Sequence, residues 1–532
     1  MEQRKSPNTQ IEAAHTTLAQ LCLDASAKHK NKIAFSMICE DKLCREVTYT
    51  QMGNRAKQIA FLLREMGVNK GDKVLLLSEN CPEWALAYFG IALAGAVSVP
   101  LLTGFTPEQI SHIMKHSKVK AVCVSRALMD KIDTGSQVPV FCIDEFKESE
   151  NIEVEVSISG DPNALATIIY TSGTQGSSKG VMLSSKNIIS SALSSLFFKK
   201  VFPRDRFLSV LPLAHSYECS IGFLAAVLSG ASITYLDRPP SSSVLLPAVK
   251  LIRPTVMITV PLLIEKVFNN AIAPKLRKNA LYKFPPTRLL AVRVAGRKLK
   301  KALGGCIRVF GIGGAALSPQ VEKFLYDARF PYTIGYGLTE TAPLVAGNTP
   351  LRFSFGSGIS APRGVKLRIE KVPGITSDEG EIQVQGPNVM LGYYDDDEKT
   401  AETFTQDGWL RTGDLGKLDG KGRLHIKGRL KALILGPSGE NIYPEEIEKL
   451  LGSSQLIEES IVYSGQKGEI VALVRLSEAA KTAAGAIEQT LEDLRTWVNK
   501  QLAAFSRISK IEVKQDPFEK TPTMKIKRYL YI

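Results

Sequence analysis

Residues 170–180, YTSGTQGSSKG, set three glycines, six hydroxyl groups and one lysine within eleven positions. They follow Leu165, Ala166, Thr167, Ile168 and Ile169, an apolar run that reads as a buried strand. Glycines let backbone N–H groups crowd around an anion without Cβ interference. Hydroxyls donate to phosphate oxygens, and Lys179 adds a compact positive charge. Thr171, Ser172, Gly173, Thr174, Gly176 and Lys179 are therefore candidate phosphate ligands. The loop is not a Walker A loop, because Gly180 follows the lysine where Ser or Thr belongs. Taken alone, the same composition also describes a flexible Ser/Gly loop.

Other stretches carry complementary chemistry. In 332–341, YTIGYGLTET, Tyr336 offers an aromatic face to a purine and Thr339 a hydroxyl. Glu340 adds a carboxylate able to hold Mg2+ against phosphate oxygens. In 408–415, GWLRTGDL, Asp414 is an acceptor suited to two ribose hydroxyls. In 311–316, GIGGAA, small residues let a flat ring approach backbone, though a tight strand-to-helix turn explains them equally well. In 211–218, LPLAHSYE, an apolar run delivers His215, Tyr217 and Glu218 together. Ser220, Gly222, Ala225 and Ala226 then suit an alkyl channel or a tightly packed helix. Arg429 suits ribose or phosphate, and Pro444 with Glu446 reads as a helix start. Read alone, 519–528, EKTPTMKIKR, is a basic tail.

In this order and spacing the motifs resemble the adenylate-forming enzymes: acyl-CoA synthetases, luciferases and peptide-synthetase adenylation domains. The resemblance runs from about 170 to 525, and the first third matches only in texture. The sequence departs from the family pattern at Gln175, Ser178, Ala432 and Met524. The resemblance implies that Gly313, Gly314, Ala315, Tyr336, Gly337, Thr339, Asp414 and Arg429 join the phosphate loop in binding ATP and AMP. It implies an acyl pocket of His215, Tyr217, Gly222, Gly311 and Leu338, with Tyr217 and Glu218 resembling the long-chain branch. It makes Lys525, Glu340 and His215 the catalytic candidates and Glu340 the Mg2+ ligand. Lys431 takes the hinge position, and Gly439, Glu440 and Asn441 line the channel of the acceptor thiol. The implied activity is that of a long-chain fatty acid–CoA ligase using ATP, Mg2+ and coenzyme A. Acyl carrier protein is the alternative acceptor, and a non-catalytic acyl or nucleotide sensor the alternative of another class.

These residues need a scaffold. A chain of 532 residues exceeds one core, and 44% apolar with 23% charged residues is ordinary for a globular protein. Helical spacing at 51–66 and strand-like runs at 73–77, 121–124 and 138–143 alternate. The fold class expected is α/β: a large N-terminal domain of βαβ-built sheets covered by helices, with a small mobile α+β C-terminal domain. The composition shift at 414–431 sets the divisions at 1–428, a hinge at 429–431, and 432–532. Nineteen uncharged residues, 84–102, read as a buried helix and strand because Gly90, Gly95 and Pro100 interrupt them. Eight scattered cysteines without a CxxC pair argue for reduced thiols and a cytoplasmic protein. The first fifteen residues lack the apolar core of a secretory leader.

The net charge is +14. Residues 267–303 hold ten basic side chains and no acidic one: Lys275, Arg277, Lys278, Lys283, Arg288, Arg293, Arg297, Lys298, Lys300 and Lys301. That run suits anionic lipid headgroups at the cytoplasmic membrane face, an acidic carrier protein, or plain solvation. No nucleic-acid motif accompanies it.

Overall fold

The computed structural model describes residues 16–133, 137–146, 160–172, 178–348, 355–356, 358–373, 375, 378–435, 441–454, 456–465, 468–481, 487–521 and 526–531. Local chemistry sets the element ends. Helix Tyr49–Glu65 starts at a capping box. There the Gln51 N–H donates to Thr48 Oγ1 at 3.2 Å, and the Thr48 N–H donates to Gln51 Oε1 at 2.9 Å. Met52, Ala56, Ile59 and Leu63 form its buried face. The uncharged run becomes helix Pro82–Leu93, with proline in its first turn, and strand Val97–Leu101. The helix is buried nearly all round, its Trp84 stacked on Tyr88 and its Phe89 against Phe223. No helix among the described residues is long and apolar enough to cross a membrane.

Among the described residues, two large sheets carry the N-terminal domain. One has the order Gly392–Tyr393, Ser178–Ser184, Leu165–Ser172, Val97–Leu101, Lys73–Leu77, Val119–Val124, Val140–Cys142. Its last five strands are parallel, and the first two attach antiparallel. The other has the order Leu344–Asn348, Tyr332–Gly337, Val309–Ile312, Val256–Thr259, Arg206–Leu208, Ser232–Leu236, Ile33–Cys39, Lys42–Thr48. Six central strands are parallel and both edges antiparallel. The parallel centres, covered by helices, bear out the βαβ expectation.

A four-stranded antiparallel sheet follows, in the order Lys366–Glu370, Gly380–Gln385, Leu410–Leu418, Leu424–Arg429. Beyond it lies a smaller unit. Strands Ile457–Ser464, Ile470–Leu476 and Lys510–Val513 pack with helices Pro444–Gly452 and Ile487–Asn499 around Ile447, Leu451, Val462, Val474 and Val498. A small cluster of Ile375, Leu415 and Tyr443 joins this unit to the four-stranded sheet.

One expectation fails. Cys39 and Cys44 are disulfide-bonded rather than both reduced. They flank a tight hairpin whose Glu40 and Asp41 have positive φ, so the turn brings the two sulfurs together. Cys22, Cys81, Cys123, Cys142, Cys219 and Cys306 are free thiols.

Candidate active site

Strand Leu165–Ser172 folds back on Ser178–Ser184, with Thr171 opposite Lys179. Gly173, Thr174 and Gly176 lie outside the described residues, as do Gly439, Glu440 and Lys525. Lys179 Nζ stands 5.4 Å from the centre of the Tyr393 ring. Burial, then repulsion from Lys399 and Lys431, lowers the Lys179 ammonium from its ordinary range, while Asp396 and Glu340 oppose the shift. Three lysines that repel one another make a natural seat for an anion, even with Glu402 paired to Lys399. The Tyr393 hydroxyl donates to Glu340 Oε1 at 2.9 Å, so this buried ring links the lysine to the carboxylate.

Glu340 sits on the short turn Thr339–Thr341, and its carbonyl accepts from the Met390 N–H at 2.9 Å. The strand feeding this turn ends at Gly337. A Cβ there would collide with the Pro343 carbonyl, so only glycine lets the chain close over residues 338–343. Gly314 has φ +85°, which explains glycine at that point of the 311–316 loop, and Gly314 and Ala315 are exposed. Among the described residues no group of three or more His, Cys, Asp or Glu side chains is placed to hold a metal. Glu340 nevertheless fits Mg2+, which takes one or two protein carboxylates and completes its shell from phosphate oxygens and water.

Asp414 and Arg429 are paired residues on adjacent antiparallel strands. Arg429 Nε donates to Asp414 Oδ1 at 2.9 Å, and the Tyr336 hydroxyl donates to Oδ2 at 2.6 Å. The carboxylate is buried, with its own N–H donating to Thr412 Oγ1 at 3.1 Å. Burial, then the Asp414 charge, pushes the Tyr336 phenol well above its ordinary range, so it remains a donor. The expected ribose acceptor therefore already has protein donors on both oxygens.

His215 Nδ1 accepts from the Tyr217 N–H at 3.1 Å. Tyr217 is buried against the 311–316 loop: a Cβ on Gly311 would lie 3.2 Å from its hydroxyl oxygen, and one on Gly313 3.2 Å from its ring. The ring borders an apolar cavity of about 60 Å3 lined by Phe198, Phe207, Tyr217, Ile221, Ile258 and Gly311, among others. Three of the five expected lining residues, His215, Gly222 and Leu338, are not among those that border it. Gly222 faces the Glu218 carboxyl, 2.6 Å from where its Cβ would be, and Leu338 packs on the main N-terminal core. Sequence reading did not find Phe198, Phe207, Ile221 or Ile258. They come from separate elements, and nothing local distinguishes them from core residues. Lys431 is exposed on the turn Leu430–Ala432, and Asn441 begins the short strand Asn441–Ile442.

The AMP-binding enzyme family matches residues 23–394, and its C-terminal domain matches residues 432–531. The chain belongs to the AMP-binding enzyme family. It is 30% identical to the long-chain-fatty-acid–CoA ligase FadD15 of Mycobacterium bovis over 92% of this chain and 90% of that protein. It is 27% identical to 4-coumarate–CoA ligase 3 of Oryza sativa over 98% of this chain and 93% of that one. The fold matches the O-succinylbenzoate coenzyme A synthetase of Bacillus subtilis in complex with ATP and magnesium ion, with a TM-score of 0.76 and 25% identity. The match covers 96% of this chain and 98% of that chain. This AMP-binding enzyme thus has the adenylate-forming fold, with a large α/β N-terminal domain and a smaller C-terminal domain.

One buried group of the AMP-binding enzyme lies just beside the cavity. Glu218 is 1% exposed, and its Oε1 accepts from Ser209 Oγ at 2.6 Å. Burial pushes its carboxyl from 4.5 up to about 8, with Ser209 pulling slightly the other way. The native state keeps a proton that the unfolded chain releases above pH 4.5. The resulting stabilisation is complete below about pH 4.5 and is lost as pH rises through about 8. Glu218→Gln keeps an acceptor for Ser209 and cannot ionise. Its melting temperature is expected to exceed the parent's at pH 8, with the gap closing toward pH 5. Thermal unfolding followed by circular dichroism at several pH values checks this, and a pH-independent gap contradicts it.

Proposed function

We propose that this AMP-binding enzyme activates a long-chain fatty acid as its acyl-adenylate and passes the acyl group to the thiol of coenzyme A. The products are the thioester, AMP and pyrophosphate. The observation carrying this reading is the apolar cavity behind Tyr217, which abuts the same glycine loop expected to receive the nucleotide. That both curated relatives named above are CoA ligases supports the coarse reading, a ligase that joins a carboxylic acid to CoA through an adenylate. Long-chain preference is the finer claim. The cavity is far smaller than the ~300–1,000 Å3 usual for ligand pockets, so a chain must displace side chains such as Tyr217 or Phe198 to enter.

A carboxylate resists nucleophiles because it is anionic and lacks a leaving group. ATP supplies one when the acid attacks its α-phosphate and pyrophosphate departs. Thr171, Lys179 and the hydroxyls of the 170–180 loop hold the departing pyrophosphate, and Lys525 neutralises charge at the α-phosphate. Glu340 would hold Mg2+, which when bound supplies positive charge to phosphate oxygens. Tyr336, Asp414 and Arg429 orient the ribose and adenine. Thiol attack on the adenylate then expels AMP. We divide the chain into residues 1–428, a hinge at 429–431 and a C-terminal domain of 432–532, which turns about Lys431 and brings Gly439, Glu440 and Asn441 to the acceptor.

Pyrophosphate release with acids of two to about twenty carbons and with 4-coumarate, with and without CoA, tests the reading. Release is expected to peak with long chains, with thioester appearing only when CoA is present. No release with any acid refutes an enzyme. A preference for 4-coumarate over palmitate refutes the fatty-acid assignment alone. Thioester formed on acyl carrier protein but not on CoA overturns the acceptor.

A further inference from the structure

We propose that residues 273–302 form a docking surface for the anionic face of a lipid bilayer. The segment folds as helices Ala273–Lys278, Ala280–Lys283 and Pro285–Ala302. The long helix buries Ala291, Val292, Gly296 and Leu299 on one side. Its opposite side carries Leu290, Val294, Arg297 and Lys301, at helical spacings of four, three and four that make one stripe.

That outward stripe is not an ordinary solvated face. Leu290 is 52% exposed and Val294 36%. Phe284, at the start of the helix, is 60% exposed, and Leu281 before it 47%. A surface helix normally keeps such residues for its core side. Here core residues occupy one face, leucine and valine stand on the other, and an exposed phenylalanine caps the helix start. Exposed apolar groups clustered among polar residues mark a binding surface.

The charges around them name the occupant. The ten basic side chains of 267–303 have no acidic neighbour within that run. Arg288 is fixed at the apolar tip, its guanidinium 5.1 Å over the Tyr282 ring and its Nε donating to the Tyr282 carbonyl at 3.1 Å. Phenylalanine and leucine on a face bordered by arginine and lysine suit the boundary between headgroups and acyl chains. An acidic carrier protein would answer the charge but gives no reason for exposing Phe284 and Leu290. The surface is joined to the cavity along the chain. Val256 and Ile258 line the cavity, and their strand leads through helix Pro261–Val267 into the basic segment. The inference does not depend on which acid is activated.

The test is sedimentation of the full chain with vesicles of phosphatidylcholine alone or with about 30% phosphatidylglycerol. Binding is expected to be at least about tenfold tighter to the anionic vesicles and to weaken with salt. Phe284→Ser with Leu290→Ser is expected to lose about tenfold of that affinity, and Arg297→Ser with Lys301→Ser to lose the preference for anionic lipid. Pyrophosphate exchange with a short soluble acid at the parent rate shows that each variant is folded. Equal binding to both vesicles, or parent-like binding by both double variants, overturns the proposal. So does a charge variant that loses affinity for acyl carrier protein while its vesicle binding is unchanged.

Discussion

Alanine at position 525 is expected to slow acid-dependent pyrophosphate release by ~10^2–10^3, or about 3–4 kcal/mol of barrier. The estimate follows from the chemistry of the first step. Two anions, a carboxylate and a triphosphate, must meet, and charge shifts toward pyrophosphate as they react. Lys179 and its neighbours are suited to the leaving side. The family resemblance gives the attacking side to Lys525. ATP affinity should change little, because the lost interaction forms mainly in the transition state. Single-turnover adenylate formation with palmitate measures the rate, and a variant within twofold of the parent would sink the assignment.

Lys431→Pro is expected to separate the two half-reactions. Pyrophosphate release should stay within about threefold of the parent, whereas thioester formation should fall by about 10^2. The chain leaves the four-stranded sheet at Arg429, turns through Leu430–Ala432, and begins the next strand at Ile434. The Leu433 N–H closes that turn onto the Leu430 carbonyl at 3.2 Å. Proline at 431 locks its own φ and biases Leu430 toward extended backbone, so the segment loses the freedom a domain rotation needs. Lys431 also repels the Lys179 ammonium. Lys431→Gln removes that charge without fixing the backbone, so its thioester formation should remain near the parent's. Loss of both half-reactions in the proline variant, or of neither, contradicts a hinge at this position.

What the sequence made legible depended on distance along the chain. The buried helix and strand of 84–102 were readable because glycines and a proline interrupt a run of one polarity. The parallel sheet centres followed from alternating helix and strand patterns. The antiparallel partners did not, since the pairing of Thr171 with Lys179 depends on a turn whose geometry the residues leave open. Among site residues, Asp414 and Arg429 were separate candidates, and only strand register made them a pair. Tyr336 was read as a ring, but its hydroxyl partner is 78 positions away. The cavity was least visible, because Phe198, Phe207 and Ile258 have the composition of any core. The Cys39–Cys44 bond did leave a signal: two cysteines five positions apart, with Asp41, a residue type that tolerates a left-handed turn, between them.

The phenol–carboxylate–guanidinium cluster at Asp414 has a further consequence. A ribose brought to this carboxylate, as proposed above, would meet two oxygens that each already carry one protein donor, and its hydroxyls would share them with Tyr336 and Arg429 or displace one. Whatever reaches it, the phenol and the guanidinium keep a buried negative charge from standing alone.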